Sequence, residues 1–144
     1  MAMASGKTTH TVFVIENSNI DFTALQRACN KTSFAGRVAL TRFCSAEEAL
    51  EHLAKAETMP DLFLIDINLK EKSGLELLED LAKVEKCALI PKIICSTSDN
   101  PQEVRECFVL GGVGFIVKPL GIKLLARLLE KCLGYWFTAS RIPL

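Results

Sequence analysis

Residues 61–74 read DLFLIDINLKEKSG. Four apolar residues, Leu62 to Ile65, deliver the chain to a carboxylate at Asp66, and a polar stretch ending in Ser73-Gly74 follows. Taking an ionised carboxylate out of water is costly unless something compensates it. The run therefore reads as a buried strand whose carboxyl end opens into a polar site, and the rest of the chain has to supply the partner.

Outward from this strand the chain alternates short β-like runs with helical ones. TVFVI (11–15) is a β-branched strand, followed by a helical stretch with Phe22, Leu25, Ala28 and Cys29 at near-helical spacing. RVALTRF (37–43) alternates as a strand, and 45–56 opens with Ser45 and Glu48 in the pattern of a capping box. After DLFLID, an amphipathic helix is expected over 74–85 and a strand over 91–96, whose first position tolerates Pro91. A helix over 100–111 has Asn100 as N-cap, Pro101 at its first position and Gly111 as its stop. A fifth strand over 114–118 and a last helix over 121–133 complete the pattern. Five strand-then-helix units imply an α/β domain with a parallel sheet covered on both faces. The apolar character of strands one, three and five predicts burial on both sides.

The 144 residues suffice for one core, and 49% apolar with 24% charged residues describes a globular domain. Seventeen basic and seventeen acidic residues cancel, so no general attraction to nucleic acid or to an anionic membrane is expected. No run is long enough to cross a bilayer. Residues 1–10 lack the apolar core of a signal peptide and read as a disordered arm, in part a cloning remnant. None of the six cysteines forms a C-x-x-C pair, which favours buried free thiols in a reducing cytoplasm over zinc or disulfides.

In open parallel sheets ligands bind beyond the carboxyl ends of the strands. Strand one ends before Glu16-Asn17, strand three at Asp66 with Asn68 two residues on, strand four at Ser96-Thr97 and strand five at Lys118. Such a set supports phosphoryl transfer to a carboxylate. Asp66 would be the nucleophile. Glu16, Asp66 and the Asn68 carbonyl offer hard oxygens suited to Mg²⁺. Lys118 and Ser96 would meet phosphate oxygens.

These residues resemble those of the receiver domain of two-component response regulators. VIEN, LFLIDINLKEKSG, IICSTS and GFIVKP stand in order, with Ser96 and Lys118 lying 30 and 52 residues beyond Asp66. The resemblance covers 11–133 and implies a flavodoxin-like, doubly wound five-stranded parallel sheet of order 2-1-3-4-5 with five helices. It implies a stand-alone receiver without an output domain. Asp66 would accept phosphate from a kinase histidine, with Glu16, Asn17, Asp66 and Asn68 around Mg²⁺. Ser96 and Phe115 would act as the switch, Thr97 would line phosphate access, and the fourth helix, fifth strand and fifth helix would carry the readout. No turnover of a separate substrate is expected. The loop KCALIPKII and the tail YWFTASRIPL, within 134–144, resemble the small regulators of bacterial phytochrome kinases, which implies a sensor histidine kinase partner of that kind and homodimers. Asn17 departs from the family's usual Asp and removes a negative charge from the metal site. Lys70 stands where a proline is common.

Other readings stay beside this one. A degenerate receiver, marked by Asn17, would bind partners without phosphorylation. A haloacid-dehalogenase-type phosphatase is discouraged by Asn68, where that chemistry wants a second Asp. Phe115 reads equally as core, and the aromatic triplet 135–137 either packs back on the domain or forms an interface. GKT at 6–8 follows no strand, GGVGF enters a strand instead of a helix, and the calcium-loop likeness of DINLKE fails at Glu71 and Leu77. His10 and His52 neighbour no nucleophile in the sequence.

Overall fold

A computed structural model describes residues 9–141 of the chain. The elements run β1 (His10–Ile15), α1 (Asn19–Cys29), β2 (Val38–Phe43), α2 (Ala46–Lys55) and β3 (Leu62–Ile65). They continue with α3 (Gly74–Ala82), β4 (Lys92–Ser96), α4 (Pro101–Val109), β5 (Gly114–Val117) and α5 (Ile122–Gly134). A short 3₁₀ turn at Glu85–Cys87 precedes β4, and a wide π-type turn at Tyr135–Ala139 follows α5. The five strands form one parallel sheet in the order β2-β1-β3-β4-β5.

Alternation along the strands divides the core in two, because successive side chains point to opposite faces of a sheet. Phe13, Ile15, Phe63, Ile65 and Ile94 meet Ala46, Ala49 and Leu53 of α2 and Leu77, Leu78 and Leu81 of α3. Val12, Val14, Leu62, Leu64 and Ile93 meet Leu25 and Ala28 of α1 and Leu125, Leu129 and Leu133 of α5. β1, β3 and β4 are therefore the central strands. β5, expected from its apolar residues to be covered on both sides, is an edge strand with no residue fully buried. β4 is buried throughout, including Lys92, whose ammonium donates to the carbonyls of Cys87 (2.6 Å) and Ala88 (3.3 Å).

The helix starts follow their caps. Ser45 accepts from the Glu48 N–H and Asn100 from that of Gln102, as the sequence implies, although the Glu48 carboxylate accepts from the Cys44 N–H (3.4 Å) instead of closing the expected capping box on Ser45. Ser73 and Glu76 complete a reciprocal capping box at α3. That helix stops at Ala82, short of the expected 85, because Val84 turns extended (φ −89°, ψ 111°) and carries Cys87 into the core. β1 begins at His10, so the expected arm loses its last residue to the sheet, and residues 1–8 lie outside the described residues. All six cysteines are free. Cys29, Cys87, Cys95 and Cys107 are buried, whereas Cys132 is half-buried and Cys44 is exposed, contrary to a uniformly buried set.

Candidate functional site

Strand order reverses between β1 and β3, so the crevice at their carboxyl ends is the place where this topology admits a ligand. Ile15 and Ile65 are register partners, and the Asp66 N–H donates to the Ile15 carbonyl at 3.0 Å. Glu16 and Asp66 leave the sheet side by side for that reason. From the far side, Lys118 follows β5, and its N–H donates to the Ser96 carbonyl at 2.7 Å. Its ammonium reaches back over the strand ends to Glu16 Oε1 (2.5 Å), Asp21 Oδ2 (3.0 Å) and Asp66 Oδ2 (3.4 Å).

Each of these groups is held from behind. The Ser18 N–H donates to Glu16 Oε2 at 3.1 Å, and the Asn68 N–H donates to Asp66 Oδ1 at 3.1 Å. Arg42 fastens the β1–α1 turn: its Nε–H donates to the Glu16 carbonyl (2.9 Å), Nη1 donates to Asn19 Oδ1 (2.6 Å), and the guanidinium lies over the Phe22 ring. Gly74 lets the start of α3 lie against the end of β3 at Asp66. A Cβ there would meet the Asp66 carbonyl carbon at 2.8 Å and Ile67 Cα at 2.9 Å. The glycine that closes the opening stretch is thus required by its acid.

Burial pushes the Glu16 carboxyl above its usual range, although Lys118 pulls the other way. For Lys118, burial opposes the charged form, but hydrogen bonds to Glu16 and Asp21 and the Asp66 charge outweigh it, so the ammonium holds its proton more firmly than a free lysine. A cavity of about 170 Å³ opens beside the group. Glu16, Asp21, Asp66, Thr97 and Lys118 line its polar side and Val14, Leu25, Leu64 and Leu125 its apolar floor.

Of the residues singled out in the sequence, the fold brings Glu16, Asp66 and Lys118 into direct contact and places Thr97 on the same cavity. Ser96 is fully buried at the end of β4, its hydroxyl accepting from the Ser98 N–H at 3.2 Å. Phe115 is half-buried and packs on the core at the α4 side of the sheet. Asn17 is partly buried next to Glu16, and Asn68 is exposed. Among the described residues, the acidic side chains that converge are Glu16, Asp21 and Asp66, with one ligand atom from each lying within 4.8 Å of the others. Sequence reading passes over Asp21. Its available signal was a position in the first turn of a helix that starts just beyond a strand end, three residues after the capping Ser18.

A parallel 2-1-3-4-5 sheet with two carboxylates and a lysine at its carboxyl edge defines a receiver-type α/β domain. The chain belongs to the response regulator receiver domain family, whose model matches residues 12–130. Among its relatives is the probable methanogenesis regulatory protein FilR2 of Methanothrix harundinacea (strain 6Ac), 26% identical over 136 residues, 92% of this chain and 86% of that one. Solved structures of the same fold include the phosphorylated cyanobacterial phytochrome response regulator RcpA, at TM-score 0.85 and 22% identity, covering 94% of this chain and 99% of that one. The Mn²⁺-bound form of response regulator Rcp1 matches at TM-score 0.81 and 21% identity over the same shares.

Proposed function

We propose that this chain is a response regulator receiver that accepts a phosphoryl group on Asp66 from the phosphohistidine of a sensor kinase. The observation that carries the reading is Lys118, whose ammonium spans from β5 to both Glu16 and Asp66 at the reversal point of the sheet. In the transfer, an Asp66 carboxylate oxygen forms a bond to phosphorus as the nitrogen–phosphorus bond of the donor breaks. The bonding pair returns to the imidazole nitrogen, which takes up a proton. Lys118 meets the charge on the arriving phosphoryl oxygens, and the Asn68 N–H fixes the Asp66 carboxylate by its other oxygen.

The converging oxygens of Glu16, Asp21 and Asp66 are hard, anionic donors that fit Mg²⁺, the cofactor of this reading. When bound, Mg²⁺ supplies neutralisation of phosphoryl charge. Asn17 and the Asn68 carbonyl add neutral oxygens in the same reading, and Thr97 lines the approach to Asp66. Ser96 and Phe115 form the switch: the Ser96 hydroxyl leaves the Ser98 N–H for a phosphoryl oxygen, and Phe115 moves further into the core behind it.

The receiver fold and the likeness to a phytochrome response regulator support a cytoplasmic sensor kinase of phytochrome type as donor. A second copy of the chain is the other partner. Phe108, Val109, Val117, Leu124 and Tyr135 on α4, β5, α5 and the turn after it are exposed apolar side chains, and Leu120 is fully exposed. Sedimentation at micromolar concentration is expected to give a dimer, and a monomer throughout the range removes that partner. Among the described residues no helix is long and apolar enough to cross a membrane.

Intact mass after incubation with acetyl phosphate and Mg²⁺ tests the function. A phosphoryl adduct is expected on the wild type and none on Asp66→Asn. No adduct on either would support a phosphorylation-independent interaction module, the reading that Asn17 favours.

A further inference from the structure

We propose that Asp21 stands in for the acidic residue that this chain lacks at Asn17, supplying the third carboxylate of the divalent-cation site and setting its affinity. The proposal rests on the receiver reading and adds a residue to it.

The starting point is charge. With Asn17 neutral, Glu16 and Asp66 are the acidic side chains of the expected metal set, and Lys118 lies against both. One positive charge offsets half of theirs, which leaves little attraction for a divalent ion. Asp21 restores the missing negative charge from a different element. It sits in the first turn of α1, where the helix N-terminus favours an anion, and the Ser18 cap fixes its backbone.

Geometry adds a second observation, because the three carboxylates already share a cation. The Lys118 ammonium touches an oxygen of each, so all three side chains aim at one point. Oxygens around one Mg²⁺ lie about 2.0–2.1 Å from it and so no more than about 4.2 Å from one another. The ligand atoms of Glu16, Asp21 and Asp66 fall within 4.8 Å, which small side-chain rotations can close. The Asp21 side chain is 38% exposed and Glu16 and Asp66 are buried, so Asp21 has the most freedom to turn from ammonium to metal. Asn17 adds at most a neutral oxygen.

Titration of the full chain with Mn²⁺, with free ion followed by electron paramagnetic resonance, tests the assignment. Asp21→Asn is expected to weaken binding by about tenfold or more, as loss of a charged ligand does. Adding Asn17→Asp to that variant is expected to recover the wild-type affinity. Thermal melts establish that each protein is folded, and Asp21→Ser repeats the comparison if D21N melts below the assay temperature. Binding by D21N within twofold of wild type would overturn the proposal. Weak binding that Asn17→Asp fails to rescue would also overturn it, since Asp21 would then act only by holding Lys118. The phosphoryl adduct on wild-type Asp66, measured separately at saturating metal, shows whether the receiver reading survives either failure. A wild type with neither adduct nor Mn²⁺ binding removes both.

Discussion

Glu16 is 4% exposed, and burial raises its carboxyl pKa even with the Lys118 ammonium 2.5 Å away. The folded protein therefore binds this proton more tightly than the unfolded chain does. Such a group contributes stability that is fully present below its unfolded value, near 4.5, and is lost as pH rises through the higher folded value. Once ionised, the carboxylate is held at a cost to the fold. Glu16→Gln is expected to flatten the part of the stability profile that falls as pH rises above about 4.5. Urea melts of both proteins across that range check it, and parallel profiles would sink the claim. Lys118 works in the opposite range: its raised value gives stability that is complete below 10.5 and lost on alkalinisation through the folded value. Single residues were also where the sequence was least complete. Asp66, Glu16 and Lys118 were legible because each ends a strand, and strand ends share one edge by topology. Asp21 was not, because a first-turn acid is ordinary helix chemistry until the fold shows which strand end that turn overhangs.

At the scale of elements, the loop from β3 to α3 shows how closely a helix can be tied to a site. Gly74 is the first residue of α3 and lies on the Asp66 backbone, so a methyl group there must drive helix and strand end apart. Gly74→Ala is expected to cost about 1–3 kcal/mol, as overpacking does, and to reduce the phosphoryl adduct at Asp66. Gly134 closes α5 with open space around its Cβ direction and a helical φ of −60°. Gly134→Ala is expected to stabilise the chain by about 0.4–1 kcal/mol and to leave the adduct unchanged. Chemical denaturation of the two variants, with intact mass on each, separates these outcomes, and equal effects would refute the close approach. Most elements were legible from period, caps and turn residues, which act locally. The lateral position of β5 came only with the resemblance, which implies the order 2-1-3-4-5: its apolar residues by themselves look like those of a central strand, and edge or centre is decided by crossover connections that leave no local mark.

Across the whole molecule the candidate site lies at the carboxyl ends of the strands, and Phe137 of the C-terminal aromatics is anchored at the other end. His10 opens β1, is buried, and stacks on Phe137 with ring centroids 4.0 Å apart and planes 2° from parallel. Phe34 meets the same ring edge-on at 6.2 Å, and the His10 Nδ1 lies 3.8 Å from Asp61 Oδ2. Two rings of the aromatic triplet take the first of the roles its sequence left open, packing back on the domain: Phe137 is buried and Trp136 packs on the α1–α5 core, while Tyr135 is 55% exposed. Only the wide turn after α5 decides which ring faces inward, since it breaks the 3.6-residue period from which a helix face could be read. Phe137→Ala is expected to cost about 3–5 kcal/mol, a large share of the roughly 5–15 kcal/mol that holds a domain folded. Phe137→Leu keeps most of the volume and is expected to cost less than about 1.5 kcal/mol. The sheet's length separates this contact from Asp66, so the folded fraction of either variant should take the phosphoryl group as the wild type does. Denaturant midpoints and adduct yields at low temperature measure the two quantities on the same samples. An F137L protein that is as stable as wild type yet loses its adduct would mean that the tail is coupled to the site, and that the two ends of the sheet do not act independently.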